Sequence, residues 1–90
     1  MNCQWDPVKA ETNVKKHGVE FSDAVGVFED PTAITIEDPQ AEGEQRFLSM
    51  GMDVLGRIIV VAYTYRGEDV RLISARKASK KEVKVYEGRI

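Results

Sequence analysis

Arg46, Arg66 and Arg76 are the side chains here best suited to chemistry. A guanidinium stays charged at any cellular pH and grips a phosphate through two parallel hydrogen bonds. Alternating apolar and polar neighbours predict that Arg46 begins a β-strand and that Arg66 and Arg76 each end one. Arginines so placed can hold a phosphodiester and stabilise the extra charge of its transition state. They can equally be sheet-edge charges that discourage aggregation. Strand order and register decide whether Arg46 and Arg66 share an end, and the pattern fixes neither. A denser cluster runs from Ile73 to Glu82. It packs Arg76, Lys77, Lys80 and Lys81, four of thirteen Lys and Arg residues, into the passage from a strand to a capped helix. Lys80 and Lys81 lie at the positive end of that helix, which points to an anion there.

His17 is the only histidine, and its ordinary pKa suits proton transfer. In Lys16-His17-Gly18 it also stands where a cation complements a helix C-terminus. Lys15 and Lys16 can bind phosphate or form the solvated face of that helix. Tyr63 and Tyr65, two apart on one strand face, can stack on bases, and Tyr86 fits a helix core. Trp5, Phe21 and Phe28 read as core. The carboxylates are too scattered to propose a catalytic pair, and no Cys/His cluster has metal-ligand spacing.

The elements that must position these groups are legible. Asp6 and Pro7 start a helix and Gly18 ends it, with Val8, Ala10, Val14 and His17 as a loose inner stripe. Phe21, Ala24, Val25 and Phe28 recur at helical spacing, and Asp30-Pro31 stops that second helix. From Thr32 the period becomes two, with Ile34 and Ile36, then Leu48, Met50, Met52 and Val54. Leu55-Gly56 reads as a hairpin turn. The run Arg57 to Arg66, apolar on both faces from Ile58 to Ala62, reads as a central strand. Gly67 turns the chain into a last strand, Val70 to Arg76. Ser79 and Glu82 then form a capping box for a helix reaching about Gly88, with Val83, Tyr86 and Ile90 inward. The expectation is an α+β fold: two N-terminal helices, a four-stranded antiparallel sheet and a C-terminal helix. Gln4-Trp5 can add a short edge strand.

Ninety residues make one domain, spanning residues 1–90. No apolar run is long enough to span a bilayer, and Met1 to Gln4 resembles no export signal. The single Cys3 fits a reducing compartment such as the cytoplasm. The net charge of -2 is unevenly spread: residues 1–45 carry three Lys against ten acids, residues 66–90 eight Lys and Arg against four. That division suggests a basic face opposed to an acidic one, or a salt-bridged surface unevenly distributed along the chain.

The ordered set Trp5-Asp6-Pro7, Lys16-His17-Gly18, Phe28-x-Asp30-Pro31, Glu44-x-Arg46, Thr64-x-Arg66, Arg71-x-Ile73-Ser74-Ala75-Arg76, Glu82 and Tyr86 resembles the BrnT family, toxins of bacterial type II toxin–antitoxin modules. The resemblance extends over nearly the whole chain. It implies a RelE-like fold, a metal-independent ribonuclease without cofactor that arrests translation, and a cytoplasmic location. It implies a BrnA-like antitoxin with a ribbon-helix-helix part, through which the complex meets operator DNA. It is compatible with a toxin dimer in that complex. By the same resemblance Arg66, Arg76, His17 and Lys16 are candidate catalytic residues, while Arg46, with the electrostatic surface of Lys77, Lys80 and Lys81, is a candidate for RNA phosphate. The alternative is a non-catalytic module acting as co-repressor with its antitoxin. The acidic loop of residues 37–45 would repel RNA if it lay near the site.

Overall fold

The computed structural model describes residues 2–88. Helix α1, Pro7–His17, begins where the Asp6 carboxylate accepts the Val8 N–H at 2.8 Å. It ends at Gly18, whose φ of 70° favours glycine and whose N–H donates to the Val14 carbonyl at 2.8 Å. The next helical segment divides into α2, Phe21–Ala24, and a 3-10 stretch, Val25–Glu29. The tighter winding, near three residues per turn, explains why Phe21, Ala24 and Val27 are fully buried. The expected stripe through Val25 and Phe28 is only partly buried.

The strands are β1, Cys3–Gln4; β2, Ile34–Glu37; β3, Phe47–Met52; β4, Ile58–Arg66; and β5, Asp69–Lys77. They form one sheet in the order β1-β5-β4-β3-β2. β2 to β5 are the antiparallel meander that the short loops predict. The four-stranded antiparallel expectation needs correcting, because β1 adds a fifth strand parallel to β5 and makes the sheet mixed. That parallel pairing requires the chain to cross over through α1 first. β1 also starts a residue earlier than expected. Trp5 leaves the sheet and sets its ring against Phe21, centroids 5.9 Å apart.

One sheet face packs on the helical layer. Ile59, Val61 and Tyr63 of β4 and Val70, Leu72 and Ala75 of β5 meet Val19, Phe21, Ala24 and Val27. Tyr63 is thus core: its hydroxyl is hydrogen-bonded with Ser49 at 2.8 Å, so it is not a base-stacking platform. Tyr65, beyond it on the same face, is half exposed. The inner stripe expected for α1 also differs, since Val8 and Val14 are exposed and the buried residue is Asn13.

Helix α3, Lys80–Tyr86, stands against one end of the opposite face. Its N-terminal turn is tied to β5 through Arg76 and Glu82, and Tyr86 reaches Asp30 and Thr32 just before β2. Ile90 lies outside the described residues. No described helix is long and apolar enough to cross a membrane.

Candidate functional site

The even-numbered residues of β4 project from the sheet face that the helical layer leaves open. Register sets Met50 and Arg76 on either side of Val60, and Leu48 and Ser74 on either side of Ala62. Ile34, Ile36, Leu48, Met50 and Val60 thus form an apolar floor, closed at one side by Arg76, Glu82 and Val85 around a groove of about 230 Å³. A larger hollow of about 580 Å³ beside Trp5 and Val25 has no cation in its lining and lies elsewhere.

Arg46, Arg66 and Arg76 all belong to this open face, but not to one point on it. β4 and β5 run antiparallel, so the arginines near their C-terminal ends are at opposite ends of the sheet. From Val60, opposite Arg76, to Arg66 is six residues of strand, or about 20 Å. Arg46 and Arg66 do meet. Both reach Glu44, at 3.9 Å from Arg46 Nε and 3.0 Å from Arg66 Nη1. Thr64 fastens this loop to β4 by donating its hydroxyl to the Gln45 carbonyl at 2.7 Å. The acidic loop therefore sits at the site and places one carboxylate between two guanidiniums. All three side chains are more than a third exposed, where such pairs contribute about 0–1 kcal/mol, so another anion can exchange with Glu44.

Arg76 meets a firmer partner. Its Nη1 and Nη2 donate to the two Glu82 carboxylate oxygens at 2.7 and 2.9 Å. Glu82 also completes the capping box, accepting the Ser79 N–H at 2.8 Å while its own N–H donates to the Ser79 hydroxyl at 3.1 Å. The anion expected beside Lys80 and Lys81 is thus within the chain, and it is Glu82. Lys77, Lys80 and Lys81 are exposed around it. Nη1 also donates to the Lys77 carbonyl at 3.4 Å, and about two fifths of the side chain faces solvent.

The Arg76 hydrogen bonds, with the Ser79 N–H, hold the Glu82 carboxyl at about 2, below an ordinary 4.5. The group is depressed on folding, so its stabilisation is complete above pH 4.5 and is lost as pH falls towards about 2. Urea unfolding across that window should show stability falling with pH, and Glu82→Gln should flatten part of the fall. Asp30 contributes with the same sign. Hydrogen bonds from the Tyr86 hydroxyl, the Met52 N–H and the Thr32 N–H hold it well below the usual carboxylate range.

Lys16 and His17 lie round the β5 edge. With Lys9 and Thr12 they line a shallow recess of about 220 Å³ that includes Ile73 and Ser74. Ser74 projects from the open face two residues from Arg76, a step of about 7 Å. This corner therefore neighbours Arg76 and is remote from Arg66.

Two anchors escaped the sequence reading. Asn13 ties α1 to β5, its amide donating to the Ala75 carbonyl and its oxygen accepting the Ala75 N–H. Asp30 ties α3 to β3 by accepting the Tyr86 hydroxyl at 2.6 Å and the Met52 N–H at 2.8 Å. Gly51 keeps that approach open, because a Cβ there would stand 3.0 Å from Asp30 Oδ2. Only the Asp-Pro helix stop and the sequence of family positions had marked either neighbourhood.

This α+β architecture is shared with a solved bacterial toxin. The chain superposes with a TM-score of 0.69 on the 1.1 Å crystal structure of the Brucella abortus ribonuclease toxin, BrnT, at 29% identity, over 89% of this chain and 99% of that one. No curated protein matches it by sequence. Residues 5–82 match the family described as the ribonuclease toxin BrnT of type II toxin–antitoxin systems, and the chain belongs to that family.

Proposed function

We propose that this chain is an endoribonuclease toxin that cuts RNA laid across the open face, without a metal ion, and so inhibits translation in the cytoplasm. The observation that carries the reading is the projection of Arg46, Arg66 and Arg76 from a single face of a chain that is acidic overall. In the cut, the RNA 2′-oxygen bonds to the adjacent phosphorus and the bond from phosphorus to the 5′-oxygen breaks. The 2′-hydroxyl proton leaves to a base, and a proton is returned to the departing 5′-oxygen. Arg76 holds the scissile phosphate and its added charge, and Lys16 and His17 are the neighbouring groups for proton traffic. Arg46 and Arg66 hold the strand further along, and Lys77, Lys80 and Lys81 draw RNA in.

Membership of a type II toxin family implies an antitoxin partner. The proposal makes it a BrnA-like protein with a ribbon-helix-helix part, which brings the complex, including a toxin dimer, to operator DNA. The exposed Ile34, Ile36 and Val85 beside Arg76 are apolar surface for such a partner to cover. A second reading, a co-repressor without catalysis, is favoured by the pairing of all three arginines with carboxylates.

Purified protein incubated with total RNA and a chelator decides between them. Fragments ending in 2′,3′-cyclic phosphate are expected, and their formation should stop when antitoxin is added. Intact RNA beside a bound antitoxin would leave the co-repressor.

A further inference from the structure

The open face carries a fourth arginine that strict alternation hides. Arg71 and Arg76 are five residues apart, so an unbroken strand would point them to opposite faces. β5 is broken by a bulge. Ala62 pairs with Ser74 and Tyr63 with Leu72, leaving Ile73 without a partner. The extra residue resets the phase. Arg71 pairs with Thr64 and Arg76 with Val60, both even-numbered residues of β4, so both arginines project from the open face. Re-aiming a side chain is what a bulge accomplishes.

The short strand β1 makes its two pairings at this place, Cys3 with Val70 and Gln4 with Arg71. Arg71 is thus braced by β1 on one side and β4 on the other. Its charge is also uncompensated among the described residues. Among the described arginines, Arg46 and Arg66 share Glu44, Arg57 pairs with Asp53, and Arg76 pairs with Glu82. Asp69, the nearest carboxylate along the same face of β5, instead accepts the Gln4 amide at 3.2 Å. Among the described residues, no ion pair or side-chain hydrogen bond engages the Arg71 guanidinium.

We infer that Arg71 is the anchor of a phosphate subsite on the open face, taking a phosphodiester of single-stranded RNA beside the Arg46–Arg66 end. It rests on the ribonuclease reading above. Four residues of β4 separate the positions opposite Arg76 and Arg71, about 13 Å, so the two arginines hold different phosphates of one extended strand. Arg46 and Arg66 must first exchange Glu44 for a phosphate. Arg71 has no such partner to release, so it engages first.

The test measures affinity for a 2′-O-methyl oligoribonucleotide, which lacks the attacking hydroxyl and stays intact, across a series of salt concentrations. Arg71→Ala should weaken binding about tenfold and flatten the slope of log affinity against log salt by about 0.7, the value of one single-strand phosphate contact. Arg71→Lys should recover most of the slope, and Lys84→Ala should change neither. Arg71→Gln, which keeps the side-chain stem over the sheet, should reproduce the alanine result if alanine disturbs folding. Wild-type binding with an unchanged slope in the folded Arg71 variants would overturn the subsite. Failure of the wild type itself to bind would instead overturn the reading on which it rests.

Discussion

Arg76→Ala is expected to lower RNA cleavage by about a hundredfold or more and to relieve growth arrest on induction, the loss typical of removing one preorganised donor from a developing negative charge. The fold should survive it. The Arg76–Glu82 pair is partly exposed, so removing it costs about 1 kcal/mol at most. The Ser79 hydroxyl still caps α3, and Asp30 still holds Tyr86 at its other end. Arg76→Lys keeps the charge and loses the planar fork, so it should restore binding better than cleavage. Glu82→Gln separates the two roles of the pair. It weakens the competitor for the guanidinium, and cleavage should be retained or raised. An Arg76→Ala protein with wild-type unfolding and wild-type cleavage would remove Arg76 from the reaction. An Arg66→Ala/Arg76→Ala protein that folds and remains fully toxic would remove the whole face.

Why Arg76 and Arg66 invited being read as one site, and why they are not, shows where local pattern stops. Helix ends were legible because their determinants are local: Asp6, Pro7 and Gly18 act within about one helical turn of themselves, and so do Ser79 and Glu82. The meander was legible because short loops force antiparallel neighbours. That same antiparallelism sends the ends of β4 and β5 apart, a consequence that needs the register as well as the strands. β1 has two residues and pairs parallel with a strand more than sixty residues later, so it leaves almost no periodic signal. Glu82 was readable as a cap. Its hold on Arg76 depends on the angle between α3 and β5, which no spacing encodes. The Ile73 bulge is invisible for a related reason, since one unpaired residue inside an apolar strand keeps the composition of that strand.

Asn13→Ala should destabilise the protein by about 3 kcal/mol, from three lost hydrogen bonds of about 1 kcal/mol each whose buried partners are left unmet. Asn13 is 5% exposed. Its amide donates at 2.9 Å to both the Val19 and Ala75 carbonyls, and its oxygen accepts the Ala75 N–H at 3.1 Å. β1 pairs with β5 only at Val70 and Arg71, so at Ala75 the side chain of Asn13 does what a neighbouring strand would do. A domain of this size is stable by about 5–15 kcal/mol, so the change removes a large share. The urea midpoint should fall by about 2 M, with its slope preserved. Asn13→Asp distinguishes hydrogen bonding from packing. It is nearly the same size and can still accept from Ala75, but it sets a carboxylate oxygen against two carbonyls. It should therefore be at least as damaging at neutral pH, and should recover in part where acid protonates it and restores one donor. If packing alone mattered, Asn13→Asp would match the wild type. α1 carries Lys16 and His17, so partial loosening of this tie should also lower cleavage before the protein unfolds. A wild-type midpoint in Asn13→Ala would mean that other groups satisfy the Ala75 edge, and that Asn13 does not set the position of α1.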